Sequence, residues 1–169
     1  MKLLKWLYEK KNKKPAPYYY NYSLLTIIAK PIRKWLANAV APNCPFNCIR
    51  ILIYKICGFK IGKHVFIGMR CYLDDMCYDQ MKIGNNVTIS YGVYFACHGK
   101  WQKHHDIVIE DGAYIGMRAS VITPSGDVVI GKGSVVGAAA LVNQSVPADK
   151  LAVGVPIRIM DKKEEVVSE

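Results

Sequence analysis

The sequence predicts an all-β solenoid: a parallel β-helix of six-residue repeats, preceded by a helical segment. Three observations carry this reading. Apolar residues recur every six positions after Gly58, a glycine follows many of them, and the composition changes near the same point. The apolar groups are Ile61, Ile67 and Leu73, then Ile83, Ile89 and Phe95, then Ile109, Ile115 and Val121, then Ile130, Val136 and Val142. A helix would repeat at about 3.6 and a strand at 2, so neither accounts for a step of six. A hexapeptide period is the mark of a parallel β-helix, in which three hexads close one triangular coil. Each coil buries its apolar row only against its neighbours, so stability accumulates along the stack. Gly62, Gly68, Gly84, Gly116, Gly131 and Gly137 directly follow an apolar repeat residue. They read as positions where a tight corner demands backbone angles that a Cβ would obstruct.

The segment before Gly58 is basic and aromatic. Leu3, Leu4, Leu7 and Tyr8 recur at helical spacing, as do Leu24, Leu25, Ile28 and Ile32, and Ile49, Leu52, Ile53 and Ile56. Lys13–Pro17 and the prolines at 42 and 45 read as breaks between these helices. The expected organisation is therefore a helical segment over 1–57, a β-helix over 58–160 and a charged tail over 161–169.

The repeat register breaks three times. The step is ten between Leu73 and Ile83, fourteen between Phe95 and Ile109, and nine between Val121 and Ile130. Insertions leave a solenoid as corner loops and often carry its function. The longest holds His98, His104 and His105, three of the four histidines, in a loop over 98–106.

Charge is unevenly placed. The net charge is +10, and residues 1–60 hold 12 Lys and Arg against the single acid Glu9. A partner attracted by charge should therefore meet the N-terminal third. An anionic membrane surface or a polyanionic glycan fits this arm, and nothing in it matches a nucleic-acid reading motif. A helical cap over the open end of the coil is the plainer reading. The six cysteines lack the recurring short spacing of a zinc site, and they read as reduced thiols in a cytoplasmic protein. No secretory signal or membrane span is expected, because no apolar stretch approaches the ~20 residues a span needs.

Ile83-Gly84-Asn85-Asn86-Val87-Thr88-Ile89-Ser90, followed by Phe95-Ala96-Cys97-His98, resembles the stretch leading to the catalytic histidine of the hexapeptide-repeat O-acetyltransferases. Ile115–Ile122 and Val135–Val142 resemble that family's next coils, and Gly154-Val155-Pro156-Ile157-Arg158-Ile159 its closing segment. The resemblance covers residues 58–160. It implies a left-handed coil, a homotrimer, and acetyl-CoA as co-substrate in a cleft between neighbouring helices. It also implies transfer of an acetyl group to a hydroxyl of a sugar, glycan or related small acceptor, with no metal. Carried over residue by residue, it makes His98 the general base. Asp74, His104 and His105 would contact the acceptor. Met117, Ala138, Asn143, Gln144 and Arg158 would contact the coenzyme, and Arg158, Lys162 or Lys163 its phosphates. Asn143-Gln144 stand where the family often has a Thr-Lys pair, so one phosphate contact is expected to be missing.

Two other readings stay open at this level. Histidines 64, 98 and 104 come loosely near the ligand spacing of a γ-carbonic-anhydrase-like metal enzyme. A non-catalytic β-helix scaffold would keep the fold without the chemistry.

Overall fold

The structure, a computed structural model, describes residues 2–99 and 103–162. The chain divides into two compact units, with the boundary between Trp35 and Leu36.

The first unit holds α1 (Lys2–Asn12), a 3-10 turn (Tyr18–Asn21) and α2 (Leu24–Trp35). Glu9 accepts the backbone N–H of Ala16 at 3.1 Å, and Lys5 Nζ donates to Asn21 Oδ1 at 3.0 Å. These bonds fold the Lys13–Pro17 break back on α1. Ser23 caps α2, its hydroxyl accepting the N–H of Thr26 at 3.1 Å.

The second unit begins with a π-helical turn (Leu36–Val40), a 3-10 turn (Ala41–Asn43) and α3 (Asn47–Ile56). It starts earlier than the composition change at Gly58 suggested, because residues 36–57 pack on the coil. The reason is polar as much as apolar. The first coil has an open edge, and α3 supplies its missing partners. Asn47 donates to Val65 O at 3.0 Å and accepts the N–H of Ile67 at 3.0 Å. Arg50 is 2% exposed and donates to the carbonyls of Ile67 and Cys44, while buried Tyr54 donates to Cys71 O at 3.3 Å. An uncovered strand edge invites association, and covering it with a helix removes that hazard.

From Lys60 the chain winds as a left-handed parallel β-helix of about four turns. One face stacks β1 (Lys60–Ile61), β3 (Met81–Ile83), β6 (Ile107–Ile109) and β9 (Val128–Ile130). The second stacks β2 (Phe66–Ile67), β4 (Thr88–Ile89), β7 (Tyr114–Ile115), β10 (Val135–Val136) and β12 (Lys150–Val153). The final strand β13 (Arg158–Asp161) turns back antiparallel on β12. The third face stacks β5 (Tyr94–Ala96), β8 (Ser120–Ile122) and β11 (Leu141–Val142), with Tyr72 bridging to Tyr94 below them.

The sixfold apolar positions are register partners. Ile61 pairs with Ile83, Ile83 with Ile109 and Ile109 with Ile130. Ile67, Ile89, Ile115 and Val136 form the second column, and Phe95, Val121 and Val142 the third. Ile67, Ile89, Phe95, Ile115, Val121, Ile130, Val136 and Val142 are all 0% exposed, so these columns fill the axis of the coil.

The glycines that follow them serve a different purpose from the one expected. Their backbone angles are ordinary, and the left-handed corner residue lies two positions later. His64, Arg70, Asn86, Arg118 and Ala139 adopt φ of 54–56° there. The constraint at the glycines is close approach of the next coil. A Cβ on Gly62 would lie 2.4 Å from Gly84 O, and one on Gly68 would lie 2.6 Å from the backbone of Ser90.

Candidate active site at one corner of the coil

All three register breaks open at the same corner, between the third face and the first, so their loops stack. The first insertion contributes Asp74 and Cys77, the second Cys97 and His98, and the third Asp127.

Asp74 directly follows Leu73 of the third column and is 0% exposed. Its Oδ1 accepts the N–H of Met76 at 3.1 Å. Its Oδ2 accepts the N–H of Cys97 at 2.8 Å and meets His98 Nδ1 at 2.5 Å. Those amides and the imidazole supply the partners that a buried carboxylate requires. Asp74 was expected at the acceptor; both of its oxygens are engaged inside the protein and the residue is 0% exposed. With Nδ1 of His98 directed at Asp74, Nε2 points away from it. The His98 side chain is 28% exposed, so the imidazole stands at the lip of the corner with its base held from beneath.

The surroundings are apolar and thiol-rich. Cys97 is 0% and Cys77 1% exposed. Burial, reinforced by the negative charge of Asp74, pushes both thiols up to about 12, so they stay neutral. Asp74, Cys77 and His98 each offer a ligating atom within 4.8 Å of the others. The 2.5 Å contact between Asp74 and His98 makes this a hydrogen-bonded acid–imidazole pair with a protonated thiol beside it.

His104 bridges back to His98 and is exposed. Gly99 N–H donates to Lys103 O at 2.9 Å and His105 N–H to Cys97 O at 2.9 Å, so the insertion leaves and returns beside His98. His105 Nδ1 lies 3.7 Å from Asp127 Oδ1, which ties this loop to the insertion above it. Lys100, Trp101 and Gln102 of the loop, and Lys163, lie outside the described residues.

The residues expected at the coenzyme divide between this corner and the next on the same chain. Met117, 53% exposed, and exposed Ala138 stand at the next corner, between the second and third faces. Asn143 and Gln144 sit above His98's corner in the last coil, and Asn143 Oδ1 is buried without a partner among the described residues. Arg158 is exposed on β13, and Lys162 donates to Gly133 O. His64 is exposed at the corner between the first and second faces, so a single chain does not assemble it with His98 and His104.

Further residues, outside the set expected at the site, meet at this corner. Asp75 is 7% exposed, and its Oδ1 accepts from Asn38 Nδ2 at 2.9 Å and from Tyr72 OH at 3.1 Å. Tyr72 stacks on Tyr94 with centroids 4.5 Å apart. The Tyr72–Tyr94 pair was accessible from the coil length. The Asn38 contact was not, because it joins distant segments.

The hexapeptide repeat of succinyl-transferase, as a family profile, matches residues 59–95 and 106–144 and so skips the His98 insertion. The bifunctional protein GlmU of Rubrobacter xylanophilus is 35% identical over 109 residues, 61% of this chain and 22% of that protein. Serine acetyltransferase of Bacillus licheniformis is 36% identical over 105 residues, 61% of this chain and 45% of that protein. The chain thus spans less than half the length of either curated relative. A hexapeptide-repeat containing acetyltransferase from Vibrio cholerae superposes with a TM-score of 0.66 at 25% identity, over 82% of this chain and 92% of that one. Its complex with acetyl coenzyme A gives 0.65 at 26% identity, over 82% and 89%. The chain carries a hexapeptide repeat over the matched residues. Its architecture is similar to that of the hexapeptide-repeat acetyltransferases.

Proposed function

We propose that the protein transfers an acetyl group from acetyl-CoA to a hydroxyl of a sugar, glycan or related small acceptor, with His98 as general base. The observation that carries this reading is the half-exposed imidazole whose Nδ1 is held by a fully buried carboxylate. The Asp74 oxygen accepts from Nδ1–H, which leaves Nε2 as the unprotonated nitrogen and stabilises the imidazolium once it forms. Nε2 takes the acceptor's hydroxyl proton as the oxygen attacks the thioester carbonyl. A C–O bond forms, the C–S bond breaks, and the proton passes from His98 to the departing thiolate, yielding the acetyl ester and coenzyme A.

Exposed Met117 and Ala138 suit the coenzyme's arm, because small or soft side chains let it lie close to the coil backbone. The unpaired Asn143 Oδ1 supports an amide N–H of that arm as its partner. Gln144 and Arg158 stand on the same upper coils, with the Arg158 guanidinium suited to a phosphate. Exposed His104, with His105 beside it, borders the acceptor's entry. The setting is a cytoplasmic homotrimer with its basic N-terminal unit toward the inner face of the membrane.

The test is coenzyme A release with a panel of sugar and glycan acceptors and with serine. His98→Ala should lower kcat at least ~10²-fold while acetyl-CoA still binds. Near-normal turnover by His98→Ala would sink the mechanism. Turnover with serine alone would transfer the acceptor assignment to serine, in line with the Bacillus licheniformis likeness.

A further inference from the structure

We infer that α2 is an in-plane anchor that docks the first unit on an anionic lipid surface. The first observation is its apolar face. Leu25, Ile28, Ile32 and Trp35 follow one another at steps of three and four, so they share one side of the helix. They are 80%, 59%, 52% and 62% exposed. A soluble surface rarely leaves so continuous an apolar row uncovered. The second observation is charge. Lys30, Arg33 and Lys34 lie on the rest of the same helix, and no Asp or Glu occurs between Glu9 and Asp74. The third is the aromatic belt. Trp6 on α1 is 53% exposed with Lys10 Nζ 4.8 Å from its ring, and Lys30 Nζ lies 3.7 Å from the ring of Tyr22. Amphipathic rings and snorkelling cations suit the headgroup layer.

The helix is 12 residues long, about 18 Å, so it can lie in the interface and cannot cross the bilayer. A second copy is the rival occupant. The second unit's α3 also exposes an apolar row, Ile49, Leu52 and Ile56 at 45%, 57% and 70%. That row is likewise flanked by Lys55 and no acid, so two such faces lack the charge complement that an anionic bilayer supplies.

Vesicle sedimentation with the full chain tests this without any enzymatic assay, so its outcome is independent of the acetyl-transfer reading. Phosphatidylcholine vesicles containing phosphatidylglycerol should pellet the protein at low salt, and pure phosphatidylcholine should not. High salt should release it. In a Trp101→Phe background the emission of Trp6 and Trp35 should shift blue on binding. Lys30→Gln, Arg33→Gln and Lys34→Gln should each weaken binding about fivefold. The double variant Ile28→Asp/Ile32→Asp should abolish binding while circular dichroism shows an intact fold. Equal pelleting of wild type and that double variant would overturn the proposal. So would a drop in oligomer size caused by the double variant without vesicles, which would make the face a contact between copies.

Discussion

At the scale of single residues, the site depends on what surrounds the imidazole more than on the imidazole itself. His98 is one histidine among four, and the buried carboxylate at 2.5 Å distinguishes it. Asp74→Asn keeps the volume but removes the charge and presents an amide to Nδ1. We expect kcat to fall about 10²-fold or more with the KM for acetyl-CoA unchanged, read by steady-state kinetics. An equal loss in both constants would indicate a collapsed site instead. The two thiols give an independent check on burial. Cys77 and Cys97, held up to about 12, should resist alkylation near neutral pH while exposed Cys48 reacts. The sign for stability follows. The folded state keeps both protons that the unfolded chain releases above about 9, so their contribution is complete below that pH and is lost as pH rises toward about 12. Urea midpoints for wild type and Cys77→Ala should converge over that window.

At the scale of the element, the hexapeptide is a unit of contact between coils. Its apolar residue fills the axis, and its glycine lets the next backbone pass. Gly68→Ala should cost about 1–3 kcal/mol, because its Cβ would meet the Ser90 backbone, which cannot retreat without breaking a ladder. Gly126→Ala is the control. It has nothing within 4 Å, and its unfolding midpoint should stay near wild type. At the corner beside β3 and β6, Asn85 accepts the N–H of Lys63 at 2.9 Å and its own N–H donates to Asp111 at 2.6 Å, linking three coils. The backbone and side-chain N–H groups of Asn85 together hold the Asp111 carboxyl below its usual range. Most of this element was legible in the sequence, since period, register and buried columns all follow from spacing. The reason for the glycines was not, because a close approach between coils is invisible along one strand of text.

At the scale of the whole molecule, the chain presents its proposed catalytic and coenzyme residues at two corners of one triangular coil. His98 stands at one corner, and Met117 and Ala138 stand at the next. Two neighbouring subunits could bring such corners together across a shared cleft, which is the physical argument for a threefold homotrimer. Light scattering at micromolar concentration should return three times the mass of the 19.0 kDa chain. A monomer that retained full turnover would remove the shared-cleft arrangement.

The sequence by itself determined the coil. A period of six, kept through Ile61–Val142 and interrupted three times, allows only a stack of triangular turns with loops at the interruptions. Its resemblance to the hexapeptide-repeat O-acetyltransferases pointed to His98, which stands beside the longest of those interruptions. Tertiary structure decided what those loops do together. Three insertions of different length leave from one corner, so residues far apart in sequence meet across successive coils. Asp74 therefore reaches His98 from the turn below, and its burial places its carboxylate against the imidazole. Tertiary structure also drew α3 onto the first coil, because an open strand edge needs hydrogen-bond partners that Asn47 and Arg50 can supply. Periodicity records which side chains face inward. Which polar atoms must find one another in the low-dielectric interior is decided only when the coils stack.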